Sequence, residues 1–201
     1  MRKYTIFFLF FFISIISVYS VDEYRIGETI RIYDQNLSVL QSRITYYPAP
    51  YFHMNKVIFL YFFEYIQYAI VLNDELREEF VEVLNKCIEW TIIARDNNVH
   101  RVIQPVKERL GVPFIIPNVS RNLDVLFLTF LFSIQEINGR EEIMLIINYK
   151  TIEQDNYGRP GSYIIIKQND FEQLKEVFSA NYLIQFDERA EEQLRTEELF
   201  R

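Results

Sequence analysis

The chain has 201 residues, half of them apolar, with 21 Lys plus Arg against 28 Asp plus Glu and a net charge of −7. Such an acidic chain repels phosphate backbones and anionic lipid surfaces, which sets aside general nucleic-acid binding and attachment to anionic membranes. A lone cysteine, Cys87, excludes an intramolecular disulfide, so the fold must be held by burial, for which 18 Phe and 14 Tyr supply the area.

The opening residues place Arg2 and Lys3 before an uncharged stretch from Thr5 to Val18, with Val18 and Ser20 three residues and one residue before a cut after Ser20. That order of basic, apolar and small residues predicts a cleavable secretory signal peptide over residues 1–20. A spanning helix needs about 20 apolar residues, and this run is shorter. An uncleaved signal that anchors the chain to the membrane is the alternative. Removal of the signal takes Arg2 and Lys3 with it and leaves 19 cationic and 28 acidic side chains, a net charge of −9. The remaining length suits a single α+β domain at 21–185 and an acidic C-terminal tail at 186–201, helical or frayed. An exported chain without disulfides points to the bacterial periplasm. Asn36-Leu37-Ser38 and Asn118-Val119-Ser120 nevertheless match the acceptor pattern for N-glycosylation in a eukaryotic secretory route.

Beyond the signal, residues 25–33 (RIGETIRIY) partly alternate and predict a first strand. Residues 43–53 (RITYYPAPYFH) contain Pro48 and Pro50 and predict a loop. The run 57–72 (VIFLYFFEYIQYAIVL) is as apolar as a membrane span, but Glu64 and Gln67 sit near its middle. A charge there costs roughly 2.5–3.5 kcal/mol in a bilayer. Its β-branched and aromatic content predicts instead two short strands turning near 64–67, so no membrane span is expected after signal removal.

The clearest element follows. In residues 73–95, Leu76, Phe80, Val83, Leu84, Cys87, Ile88, Thr91 and Ala94 fall on one face of a helix. Asn73 or Asp74 can cap it, and Glu75, Glu78 and Glu79 suit its positive end. Trp90 and Ile93 lie off the centre of the apolar stripe, so a second face of this helix is partly covered. Asn138-Gly139 then marks a tight hairpin between strands at Val125–Ile137 and Glu142–Tyr149. A turn-rich stretch at 155–162 leads to a strand at Ser162–Lys167 and an amphipathic helix over 169–182. The expected fold is therefore α+β, an antiparallel sheet covered on one face by two amphipathic helices, with two β-β-α halves as a variant.

Little in the sequence suits catalysis. The two histidines, His53 and His100, stand alone, no HExxH or CxxC spacing occurs, and no serine lies in GxSxG or SxxK. With five glycines and no GxGxxG or P-loop, no phosphate cradle is expected, so no cofactor and no metal are assigned. Glu78, Glu79 and Glu82 read as the solvated face of the long helix, and Cys87 as a buried small hydrophobe. The stretch nominated for binding is the aromatic segment with Tyr46, Tyr47, Tyr51 and Phe52, stiffened by its prolines. Tyr157 and Arg159 in the turn-rich stretch are the second nomination. The functional expectation is an exported non-catalytic domain that contacts an envelope protein partner, with no assigned oligomeric state. A binder of a small apolar or saccharide ligand is the first alternative, and a carboxylate-based envelope hydrolase the second.

Overall fold

The computed structural model describes residues 23–48, 54–63, 67–116, 123–152 and 161–199. Strands β1 (Tyr24–Ile26), β2 (Ile32–Tyr33), β3 (Gln41–Tyr47), β4 (Val57–Phe63) and β5 (Gln67–Leu72) precede the long helix α1 (Asp74–Asp96). Strands β6 (Val102–Ile115), β7 (Asp124–Ile137), β8 (Arg140–Thr151) and β9 (Ser162–Lys167) follow, then a 3₁₀ turn at Gln168–Asp170 and helices α2 (Phe171–Val177) and α3 (Ala180–Leu199). All nine strands form one antiparallel sheet in the order β1-β3-β4-β5-β6-β7-β8-β9-β2. The fold is α+β, as expected, and strands from both halves of the chain share the one sheet. The sheet does not close. Among the described residues its two ends come together where Tyr33 bridges Val39 and the Leu40 N–H donates to the Ile32 carbonyl at 2.8 Å.

Three stretches differ from their sequence reading. The expected first strand at 25–33 is cut in two by a turn in which Gly27 takes φ +61 and the Ile30 N–H donates to the Gly27 carbonyl. A side chain at Gly27 would meet Ile30 Cδ1 at 2.8 Å, in a backbone region that only glycine enters freely. The segment read as an aromatic loop starts as strand β3 and stays paired with β4 from Gln41 to Tyr47, because its prolines come only afterwards. Strand β6 has no clear sequence signal, since Pro105, Pro113 and Gly111 all fall within it. It survives because β7 pairs along its whole length, with register shifts near Pro105 and Lys107. On its other side it pairs with β5 only at Phe114 and Ile115. Proline and bulges are the usual protection of such an open edge.

The remaining elements follow their local chemistry. Asn73 caps α1 by accepting the Leu76 N–H at 2.9 Å. Asn138 (φ 54) and Gly139 (φ 74) form the two positive-φ positions that join β7 to β8. The helix expected over 169–182 breaks at Phe178–Ser179, and α3 runs on across the expected start of the tail, burying Leu183, Phe186 and Ala190.

The helices share a single apolar core with one face of the sheet. Phe80 of α1 stands edge-on to Phe130 of β7 at 5.0 Å and to Phe178 at the end of α2 at 5.7 Å. Trp90 covers Phe132, whereas Ile93 stays exposed. Strands β4 and β5 are buried on both faces: Val57, Phe59, Tyr61, Ala69 and Val71 form a second, smaller cluster with Ile115 on the opposite side. Burial on both faces is the reason their sequence is a continuous apolar run rather than an alternation. Phe80→Ala is expected to lower the unfolding free energy by about 3–5 kcal/mol, while Ile92→Ala, 55% exposed on the same helix, should change it by less than about 0.5 kcal/mol. Paired urea denaturation curves check both values.

Candidate functional site

Of the nominated residues, Tyr46 and Tyr47 are described, and Tyr51, Phe52, Tyr157 and Arg159 lie outside the described residues. Neighbours on a strand point to opposite faces, and these two tyrosines do so. Tyr46 faces the core and is 2% exposed. Its hydroxyl donates to Asp187 Oδ1 at 2.6 Å, and Lys56 Nζ reaches Asp187 Oδ2 at 2.6 Å. Tyr46 therefore pins α3 to the sheet and offers no surface to a partner. Tyr47 faces the other way, donates to Glu23 Oε2 and packs edge-on against Phe59 at 5.1 Å.

A second structural device was hidden in a charged run. Arg77 is 5% exposed, and its Nη1 donates to the Phe178 carbonyl at 2.6 Å, which satisfies the C-terminus of α2. Asp74 and Glu78 each lie 3.4 Å from its guanidinium. Glu79 pairs with Lys107 of β6, and His100 with Glu141 at 2.8 Å on the surface.

Cys87 is fully buried on the core face of α1, and burial pushes its thiol up to about 12. Burial, reinforced by hydrogen bonds to Asp187 and Glu23, likewise raises the Tyr46 and Tyr47 phenols well above their ordinary range. All three groups are held neutral by the fold. The Cys87 contribution is complete below the ordinary thiol value near 9 and is lost as pH climbs through about 12, and the two phenols add a loss in the same direction at higher pH. The melting temperature should accordingly hold from about pH 7 to 9 and fall steeply above it, and Cys87 should resist a thiol reagent until the chain unfolds. A melting temperature flat to about pH 12, or a fast native thiol reaction at pH 8, would contradict this.

Two hollows among the described residues bear on binding. The first is a groove of about 370 Å³ on the outer face of β6–β9, away from the helices. Ile103, Leu131, Ile137, Met144, Ile146 and Ile165 form its floor, Tyr163 and the amides of Gln135 and Asn148 its margins, and no charged side chain lines it. Its rim is the turn between β2 and β3. There Asp34 Oδ1 accepts the N–H groups of Asn36 and Ser38, both at 2.8 Å, and Leu37 is held at φ 59. A leucine in that left-handed region costs about 1 kcal/mol or more, and it lines the groove.

The second hollow, about 540 Å³, occupies the gap between β2 and the first half of β3, where β1 has ended. Arg25, Glu28, Ser42 and Arg43 line it together with isoleucines of the core edge. Neither of these two hollows sets two carboxylates against each other, since the groove has none and the gap only Glu28, while a third, of about 370 Å³ beside the gap, is lined by Glu28 and Glu176. No family model, curated protein or solved structure matches this chain.

Sequence reasoning missed both hollows. Their residues come from strands far apart in the chain, and only the register of the sheet brings them together. The one local signal was Asp34-Gln35-Asn36-Leu37-Ser38, a polar turn with an aliphatic residue at its centre.

Proposed function

We propose that this chain is an exported, non-catalytic domain that works by contact with another protein of the cell envelope, and that the outer face of β6–β9 makes the contact. The basic, apolar and small pattern of residues 1–20 supports export. The observation that carries the contact is the groove itself. It concentrates aliphatic side chains, Ile103 among them at 58% exposure, on a face that no helix of the described residues covers, within a chain of net charge −7. An acidic chain that keeps the lining of one apolar groove free of charge is suited to a partner segment that is itself aliphatic and uncharged at the contact. The strained Leu37 turn gives the groove a fixed wall, so little order has to be gained on binding.

The volume also favours a second reading in the same place, a small apolar ligand, because pockets for such ligands start at about 300 Å³. The two readings part on the length of groove used.

Ile103→Ser and Ile146→Ser, made separately in the full chain, test the proposal. Both variants should keep the parent melting temperature to within about 3 °C and lose a protein that cross-links to the parent in the exported fraction of its own cells. Retention of every cross-linked protein by both folded variants would overturn the contact. Loss of a bound small molecule with all protein cross-links intact would move the site to the second reading.

A further inference from the structure

We infer that the gap between β2 and β3 is a binding site for a carboxylate carried on a small apolar body, separate from the outer groove and independent of what that groove contacts. The register places its cations. Arg25 lies opposite Thr45, and Arg43 lies two residues before Thr45 on the same face, so the two arginines are diagonal neighbours across β1 and β3. Like charges so placed repel unless an anion sits between them.

Arg43 is half-buried and only partly satisfied. Its guanidinium lies over the Tyr61 ring at 4.3 Å, which fixes its plane, while its Nε–H is buried and without a hydrogen-bond partner. The nearest acid, Glu23, stands 4.0 Å from Nη1 and uses its other oxygen for the Tyr47 hydroxyl. Arg25 is exposed and has no ion-pair partner among the described residues. A buried donor left unpaired is costly, and a planar, stacked guanidinium is the group that grips a carboxylate in two-pronged fashion.

The charge balance limits the class of anion. Arg25 and Arg43 are set against Glu28 in the lining and Glu23 beside Arg43, so the site has no large positive excess and suits a single negative charge better than a phosphate group. Behind the arginines, Ile26, Ile30, Ile32 and Ile44 supply an apolar wall, and Phe63 stands 47% exposed at the margin. Among the described residues, Gln41–Arg43 of β3 have no strand on the side that β1 vacates, so their free backbone groups can hold polar atoms next to the carboxylate. A short aliphatic acid and the C-terminal residue of a peptide both present this chemistry.

The test follows the Arg43 Nε–Hε resonance by NMR in the intact protein. Hexanoate, the tripeptide acetyl-Ala-Val-Ile as free acid, its C-terminal amide, and inorganic phosphate are the probes. At least one of the two carboxylates should give a saturable shift below about 10 mM, and the amide should give none. Arg25→Gln, at an exposed position, should weaken that carboxylate about tenfold, and Arg43→Gln, followed through the Ser42 backbone amide instead, by at least as much. Tighter binding of hexanoate would assign the site to free acids, and tighter binding of the tripeptide to chain termini. No saturable shift with either carboxylate, equal binding of the amide, tighter binding of phosphate, or unchanged affinity in Arg25→Gln would overturn the site.

Discussion

Phe80 is the residue on which the architecture turns. Set edge-on to Phe130 of the sheet and to Phe178 beyond α2, it joins the long helix, the central strands and the C-terminal helices in one contact. A chain with a single, buried cysteine has no covalent staple, so this apolar contact and its neighbours must hold the elements together. The polar links are arranged around it. Arg77 ties the start of α1 to the end of α2, and Tyr46 with Lys56 ties α3 to the sheet through Asp187. Each is a buried or half-buried group given a partner, which is the condition for burying it at all.

Committing the helices to one face divides the sheet into regions with different tasks. Over β4 and β5 both faces are buried, and that part is structural throughout. Over β6–β9 the outer face carries an apolar groove that no charged side chain of the described residues lines. Between β2 and β3 the sheet fails to close, and the gap collects two arginines in an otherwise acidic molecule. The open face and the gap are where the molecule has unspent chemistry, and both are positioned by the same turn-rich segment around Gly27 and Asp34.

Much of the fold was legible because its signals are local. The cap and stripe of α1, the Asn138-Gly139 hairpin, the pair of strands in 57–72 and the strand at Ser162–Lys167 each rest on neighbours within a few residues. Strand β6 was not legible, because Pro105, Pro113 and Gly111 argue against a strand and only the long ladder with β7 overrides them. Arg77 looked like one charge among several on a polar face, and nothing near it in sequence announces Phe178, a hundred residues on. Of the nominated aromatic pair, strand alternation sends Tyr46 inward and Tyr47 outward, a division invisible while the segment was read as a loop. The hollows depend on register across several strands, and register is a property of the sheet rather than of any stretch of it.

Residue-by-residue hydrogen exchange of the intact protein tests the central claim, one core under a sheet that stays open at β3. Ile44–Tyr46 are flanked by β1 and β4, whereas Gln41–Arg43 of the same strand have β4 alone among the described residues. Exchange of the β7 and β8 amides should be slow and share one opening free energy with the core turns of α1. The gap-facing amides among Gln41–Arg43 should exchange orders of magnitude faster than those of Ile44–Tyr46. Equal protection along the whole of β3 would mean that the sheet is closed there, and would contradict the account.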